Sequence, residues 1–263
     1  MSFFNHMEYV IICLVAFLTS ILTFFSGFGL GTILMPVFAL FFPIELAIAL
    51  TGVVHFFNNI FKLFLVGNKA NKNVLIQFGI PAIIAAFIGA WVLLNITDLP
   101  SIHTYQIGNK LFVITPVKLI IAIVLIVFSV IELLPFFNKL QFNKKQLPFG
   151  GFLSGFFGGL SGHQGALRTA FLIKSGLTKE AFIGTAVVIS SLVDFTRISM
   201  YSTRMLNSGL YKNIPLIISA TLAAIIGAFV GHKLLKKVTL KFIQKFVAVF
   251  LIIVSIALGI GLI

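Results

Sequence analysis

Apolar residues run along this chain without interruption for about 20 positions at a time. Short polar stretches divide the runs into eight segments: 9–42, 45–66, 74–94, 116–137, 147–175, 179–202, 210–232 and 240–262. Continuous runs of that length predict helices that cross a bilayer, whose hydrocarbon core is about 30 Å thick, at about 1.5 Å of rise per residue. A membrane-spanning barrel would alternate polar and apolar positions instead. Two segments break the rule. The first is too long for one straight crossing and is cut by Ser26-Gly27-Phe28-Gly29-Leu30-Gly31, and the fifth is cut by Gly158-Gly159-Leu160-Ser161-Gly162-His163-Gln164-Gly165.

The breaks belong to a duplicated unit. At a separation of about 134 residues, Gly31 matches Gly165, Thr51-Gly52-Val53-Val54 matches Thr185-Ala186-Val187-Val188, and Ile80-Pro81 matches Ile214-Pro215. After a small slip, Ala85-Ala86 and Gly89-Ala90 match Ala223-Ala224 and Gly227-Ala228. A repeated apolar unit with a glycine-rich break near its start is the outline of a secondary transporter. The expected fold class is all-α, a polytopic helical membrane protein. Its two repeats of about four segments, 1–137 and 147–263, form one membrane domain joined by a basic linker, 138–146.

Composition agrees: 59% of residues are hydrophobic, 10% are charged and the mean hydropathy is +1.14, so most of the surface must face lipid. The net charge of +13 raises the question of nucleic acid, but most Lys and Arg fall in short loops between apolar runs, where anionic headgroups favour them. No nucleic-acid partner is expected. The single Cys13 excludes an internal disulfide and a cysteine metal site, and neither a metal nor a cofactor is expected. Segment 9–25 lacks a basic flank and a cleavage site, so it is read as a retained span.

Loop charge then bears on topology. If all eight segments cross, the loop Lys and Arg divide seven against seven. If segments one and five are re-entrant, one face carries Lys69, Lys72, Lys139, Lys144, Lys145, Lys174, Lys179, Lys233, Lys236, Lys237 and Lys241, and the other only Lys110, Arg204 and Lys212. That is a positive-inside bias. Each half then crosses three times, which makes the halves inverted repeats in a multi-pass membrane protein.

Polar side chains inside apolar runs need a reason, since a central Arg or Asp costs roughly 2.5–3.5 kcal/mol on insertion scales. Segment six holds Asp194 and Arg197 on one helical face, with Ser190 a turn earlier. Segment two offers His55, Asn59 and Lys62 at the matching places. An Asp194–Arg197 ion pair, with Lys62 snorkelling to the headgroups, is the plain structural reading. Ser191 and Asn58 add neutral donors, however, and one carboxylate does not neutralise a second arginine, Arg168. That residue falls in the first turn of a half-helix expected to begin near Gly165. Positive charge at a helix N-terminus is unfavourable by itself and makes sense if an anion sits there. Gly31-Thr32 supplies the corresponding N-terminus in the first half. The glycines also admit close helix packing without any ligand. His163, inside the second break beside Gln164, is a candidate for a coupling proton or a simple hydrogen-bond donor. Glu132, near the end of segment four, is read as interfacial.

One rival motif is Gly159-Leu160-Ser161-Gly162, which fits the G-x-S-G serine motif of rhomboid intramembrane proteases. His163 is too close in sequence to Ser161 to serve as its base, which would leave His55 or His232. An anion channel would use the same residues as a carrier.

The glycine-rich break, half-helix and polar second helix, twice over about 260 residues, resemble the sulfite exporter TauE/SafE family, also called the 4-toluene sulfonate uptake permease family. Gly158 through Arg168, and Val193-Asp194-Phe195-Thr196-Arg197, carry the most specific likeness. The resemblance implies an integral, multi-pass carrier of the cytoplasmic (inner) cell membrane for a small sulfur-containing anion, such as sulfite, a sulfonate or sulfoacetate. The residues then take expected roles. Arg168 neutralises the anion, and Arg197 assists, oriented by Asp194. Backbone N–H groups near Gly31-Thr32 and Gly165-Ala166 bind its oxygens, and Ser190, Asn59, His55, His163 and Gln164 complete the lining.

Overall fold

The computed structural model describes residues 3–23, 30–134, 142–173, 175–205, 210–234 and 240–263. Ser26 to Gly29 of the first break, and Lys139, Lys174, Lys236 and Lys237, lie outside the described residues. Ten helices follow one another among those described: α1 Phe3–Thr23, α2 Leu30–Ala39, α3 Ile44–Val66, α4 Lys72–Thr97, α5 Pro116–Leu133, α6 Leu147–Ser161, α7 Gly165–Leu172, α8 Lys179–Met205, α9 Ile214–Leu234 and α10 Leu240–Gly259. Four stretches, Ile44–Lys69, Lys72–Thr97, Lys179–Ser202 and Tyr211–Lys233, are long and apolar enough to cross a membrane.

Local chemistry explains where these helices begin and bend. Asn71 caps α4, its side chain accepting from Val74 N at 3.1 Å. Thr115 caps α5 by accepting from Lys118 N at 3.3 Å, with Pro116 opening the first turn, where no N–H is needed. Pro81 lacks the donor that a regular α4 would require, and the turn before it, Leu75–Gly79, widens to π geometry.

The expectation of an all-α fold needs one correction. Strands β1 His103–Ile107 and β2 Lys110–Ile114 form an antiparallel hairpin between α4 and α5. The signal was present: Gly108-Asn109 is a two-residue turn between runs rich in β-branched and aromatic residues. Tyr105 ties the hairpin to the end of α10, its hydroxyl donating to Ile260 O at 2.5 Å.

The principal helix pairings are α1 with α9, α4 with α6, α3 with α8 and α5 with α10. Exchanging the two halves maps this set onto itself. The α4–α6 contact is made by a glycine stripe. A Cβ added to Gly151, Gly155 or Gly159 would stand 2.2, 2.0 or 2.1 Å from the carbonyl oxygens of Phe78, Ala82 and Ala86. Small residues thus let two backbones touch, the usual device of helix association in lipid. The ascending pairs, Gly151 with Phe78 and Gly159 with Ala86, also make α4 and α6 parallel. By contrast α3 and α8 are antiparallel: Gly52 lies against Arg197 and Gly184 against Val66.

After the second break the chain doubles back. Phe171 near the end of α7 packs on Gly150 near the start of α6, and its ring stacks on Phe142 with centroids 3.9 Å apart. Three loops therefore gather at one end of the bundle. Asn71 N donates to Thr185 Oγ1 at 2.8 Å, Leu147 shares a core with Val74, and Lys144 Nζ lies 3.6 Å from where a Gly176 Cβ would be. They belong to three of the four loops, 67–73, 138–146, 175–179 (with Lys174) and 233–241, whose basic charge suggested a common face. At the opposite end, residues 39–45 meet Thr115, Lys118, Leu262 and Ile263.

Candidate functional site

The polar stripes of α3 and α8 face each other at the centre of the bundle. Antiparallel packing sets His55 and Asn59 opposite Asp194, and this carboxylate is the hub. Oδ2 lies 2.6 Å from His55 Nδ1 and accepts from Asn59 Nδ2 at 3.0 Å. Oδ1 accepts from Arg197 Nε at 3.0 Å and from Gln164 Nε2 at 3.4 Å. Asp194 and Arg197 are both fully buried. A charge is stable in such a place only when paired and hydrogen-bonded, which these contacts accomplish for the carboxylate.

The start of α2 and the second break meet against this pair. Helix α6 ends in a left-handed Gly162 at φ +83°, where a Cβ would come within 2.6 Å of Arg197 Nη1. Glycine is required there both by the backbone and by the guanidinium. A Cβ on Gly31, in the first turn of α2, would lie 3.7 Å from Gly162 O and 3.6 Å from Thr51 Cγ2. The His163 ring reaches the backbone of Thr32. Arg168 projects from the first turn of α7, with Nη1 donating to Gln164 Oε1 at 3.1 Å and to Ser190 Oγ at 2.5 Å. Tyr201, a turn beyond Arg197, donates to Gly159 O and pins α8 to the break.

Lys62 completes the cluster. It is buried, and the Asn58 amide, turned so that each of its atoms finds a partner, donates to Ala224 O and accepts from Lys62 Nζ at 3.3 Å. Lys62 is close enough to Arg168 for their like charges to interact. The buried charged residues among those described are thus three cations, Lys62, Arg168 and Arg197, and one anion, Asp194.

Donors are in excess as well. Arg168 Nε, Arg197 Nη1 and the Thr51 hydroxyl are buried with no hydrogen-bond partner among the described residues. Arg197 Nη2 stands 2.9 Å from Asp194 Oδ1 as an ion pair but off the hydrogen-bond line. Unpaired buried donors cost about 1–3 kcal/mol each, more when charged.

A family model for the sulfite exporter TauE/SafE matches residues 12–258. The chain belongs to the sulfite exporter TauE/SafE family. This is a family of membrane transporters and not of enzymes. No curated protein and no solved structure matches the chain.

In this TauE/SafE chain the residues singled out from the sequence converge. Arg168, Arg197, Asp194, Ser190, His55, Asn59 and Gln164 share one hydrogen-bonded network, and Gly31 and Thr32 at the start of α2, with His163 and Gly165 at the second break, flank it. The Asp194–Arg197 ion pair is present. Two expectations are overturned. Lys62 does not snorkel; it turns inward because Asn58 offers an acceptor. His163, judged too close in sequence to Ser161, sits with Nδ1 3.2 Å from Ser161 Oγ. The turn at Gly162 makes that approach possible. Yet the Ser161 hydroxyl donates to Phe157 O at 3.1 Å, and His163 Nδ1 also faces the Ser161 carbonyl at 3.2 Å, as a donor would. Tyr201 was missed, although it continues the Asp194–Arg197 face at helical spacing.

Proposed function

We propose that this protein is a secondary transporter of small sulfur-containing anions, of the sulfite, sulfonate or sulfoacetate type, working by alternating access around the buried cluster. The observation that carries the reading is the excess of cations and unpaired donors where the start of α2 meets the second break. An anion held there supplies the missing acceptors. Arg168 is its main counter-charge, and Arg197 assists while Asp194 holds it in place. The N–H groups at the starts of α2 and α7, which have no intrahelical partners, add hydrogen bonds to its oxygens. His55, Asn59, Ser190, His163 and Gln164 line the rest. Counterflow in proteoliposomes tests this. Vesicles loaded with sulfite are expected to accumulate labelled sulfite saturably, with sulfoacetate and taurine as informative competitors. Equilibration without counterflow would replace the carrier by a channel.

The repeats, 1–137 and 147–263, are in this reading inverted. The antiparallel α3 and α8, the doubled-back α6–α7 and the exchange-symmetric helix pairings support it. The loops carrying Lys69, Lys72, Lys144, Lys145 and Lys179 then face the cytoplasm and the hairpin faces out, with the protein in the cytoplasmic membrane. In a Cys13→Ser background, Asn109→Cys is expected to react with a membrane-impermeant maleimide on intact cells, and Lys145→Cys only after permeabilisation. The reverse pattern would invert this topology.

A further inference from the structure

We propose that His55 is the proton-binding residue of this transporter, and that a proton and the substrate anion bind together. The inference rests on the reading of the buried cluster as an anion carrier and adds the ion coupled to it.

The hydrogen bonds around Asp194 fix which group takes the proton. Each carboxylate oxygen has two nitrogen neighbours. Oδ2 has His55 Nδ1 at 2.6 Å and Asn59 Nδ2 at 3.0 Å, and Oδ1 has Arg197 Nε at 3.0 Å and Gln164 Nε2 at 3.4 Å. Asn59, Arg197 and Gln164 can only donate, and the guanidinium brings a full positive charge, so these neighbours hold the ionised carboxylate. An ionised oxygen only accepts, and the hydrogen of the short His55 contact therefore sits on Nδ1. The second ring nitrogen, Nε2, then carries a lone pair until a proton is added.

What lies beside Nε2 makes the coupling. The ring edge turned away from Asp194 borders the start of α2: Cδ2, the carbon next to Nε2, is 4.0 Å from where a Gly31 Cβ would stand. The first turn of α2 adds N–H groups without intrahelical partners. A lone pair facing that space repels an anion, whereas an N–H donates to it. One proton converts the first into the second and leaves an imidazolium between the carboxylate and the anion. Proton binding thus strengthens anion binding, and anion binding strengthens proton binding by the same factor.

The other charged groups around the ring are Asp194 and Arg197 from α8 and Lys62 from its own helix. Helix α2 has no titratable residue, and α9 brings His232 and Lys233 only in its last turn. His163 turns instead to the backbone of Ser161 and Thr32, so it fastens the second break to α2.

Proteoliposomes with the membrane potential clamped at zero test the proposal. Sulfoacetate is the probe, since both its acid groups stay ionised from about pH 6 to 8. Counterflow at equal pH reads the carrier, and accumulation against an imposed pH gradient reads the proton. Wild type is expected to concentrate sulfoacetate about tenfold on the alkaline side of a gradient of about one unit, the equilibrium for one proton per anion. His55→Gln retains an amide donor for Asp194 but cannot titrate. It is expected to transport more slowly and to reach only equal concentrations, whatever the gradient. His163→Gln should keep the tenfold ratio. Counterflow without accumulation in wild type, or full accumulation by His55→Gln, would overturn the proposal and leave the carrier standing. A second measurement needs no variant: a pH indicator in weak buffer should show purified wild type taking up at most about one proton per sulfoacetate bound, and no uptake would overturn the proposal. Absence of sulfoacetate counterflow in wild type would remove the carrier reading, and this inference with it.

Discussion

Arg168→Ala is expected to abolish sulfite counterflow while the protein still folds. Truncating one partner of a buried, hydrogen-bonded charge pair costs about 2–5 kcal/mol of binding, roughly thirtyfold to several thousandfold in affinity. The structural loss is smaller. Gln164 Oε1 and Ser190 Oγ lose a donor, but serine can rotate to donate elsewhere, and the change removes one cation from a cluster with too many. Thermal melting in detergent should therefore move little. Arg168→Lys keeps a positive charge and loses the guanidinium fork, so intermediate flux is expected. Unchanged counterflow in Arg168→Ala would remove Arg168 from the site.

Asp194→Ala is expected to have the opposite profile, a loss of folding. The carboxylate joins three elements: α3 through His55 and Asn59, the second break through Gln164, and its own helix through Arg197. Without it Arg197 has no acceptor among the described residues and remains walled in by Gly52 and Gly162. Leaving such a charge unpaired costs about 3–5 kcal/mol, a large part of the stability of a typical domain. The double variant Asp194→Ala/Arg197→Met removes the stranded cation and should recover most of the melting temperature. If the single variant melts like wild type, or the double variant is no better than the single, Asp194 does not stabilise the fold through Arg197.

These two variants separate roles that one network combines. Asp194 and Tyr201 hold the second break and α8 together, whereas Arg168 is a buried cation bonded to the neutral Gln164 and Ser190. The plain reading of the polar stripe as an ion pair is correct for Asp194 and Arg197, but it does not account for Arg168.

Much of the fold was legible because membrane helices must satisfy every backbone group locally. Seven of the eight expected segments begin within about four residues of an observed helix, since length, apolarity and Pro or Asn caps are all local signals. The second break proved narrower than its glycine run suggests. Gly159 is a helical residue that lets α6 touch α4, and only Gly162-His163-Gln164 leaves the helix. Composition does not separate a packing glycine from a helix-ending one. The difference lies in what each would touch.

By itself, then, the sequence determined a helical membrane bundle, two glycine-rich runs about 134 residues apart, and a polar stripe on the second and sixth apolar segments. Those follow from hydropathy, periodicity and duplication, which the solvent and the backbone impose on any such chain. Only the tertiary structure decided that the stripes face each other, that Lys62 turns inward to Asn58, and that Gly162 makes room for Arg197. Residues about 30 to 140 positions apart meet there, and no local rule fixes which donor finds which acceptor. That choice is made when the helices pack, because in a dry interior each charge settles where its partners are.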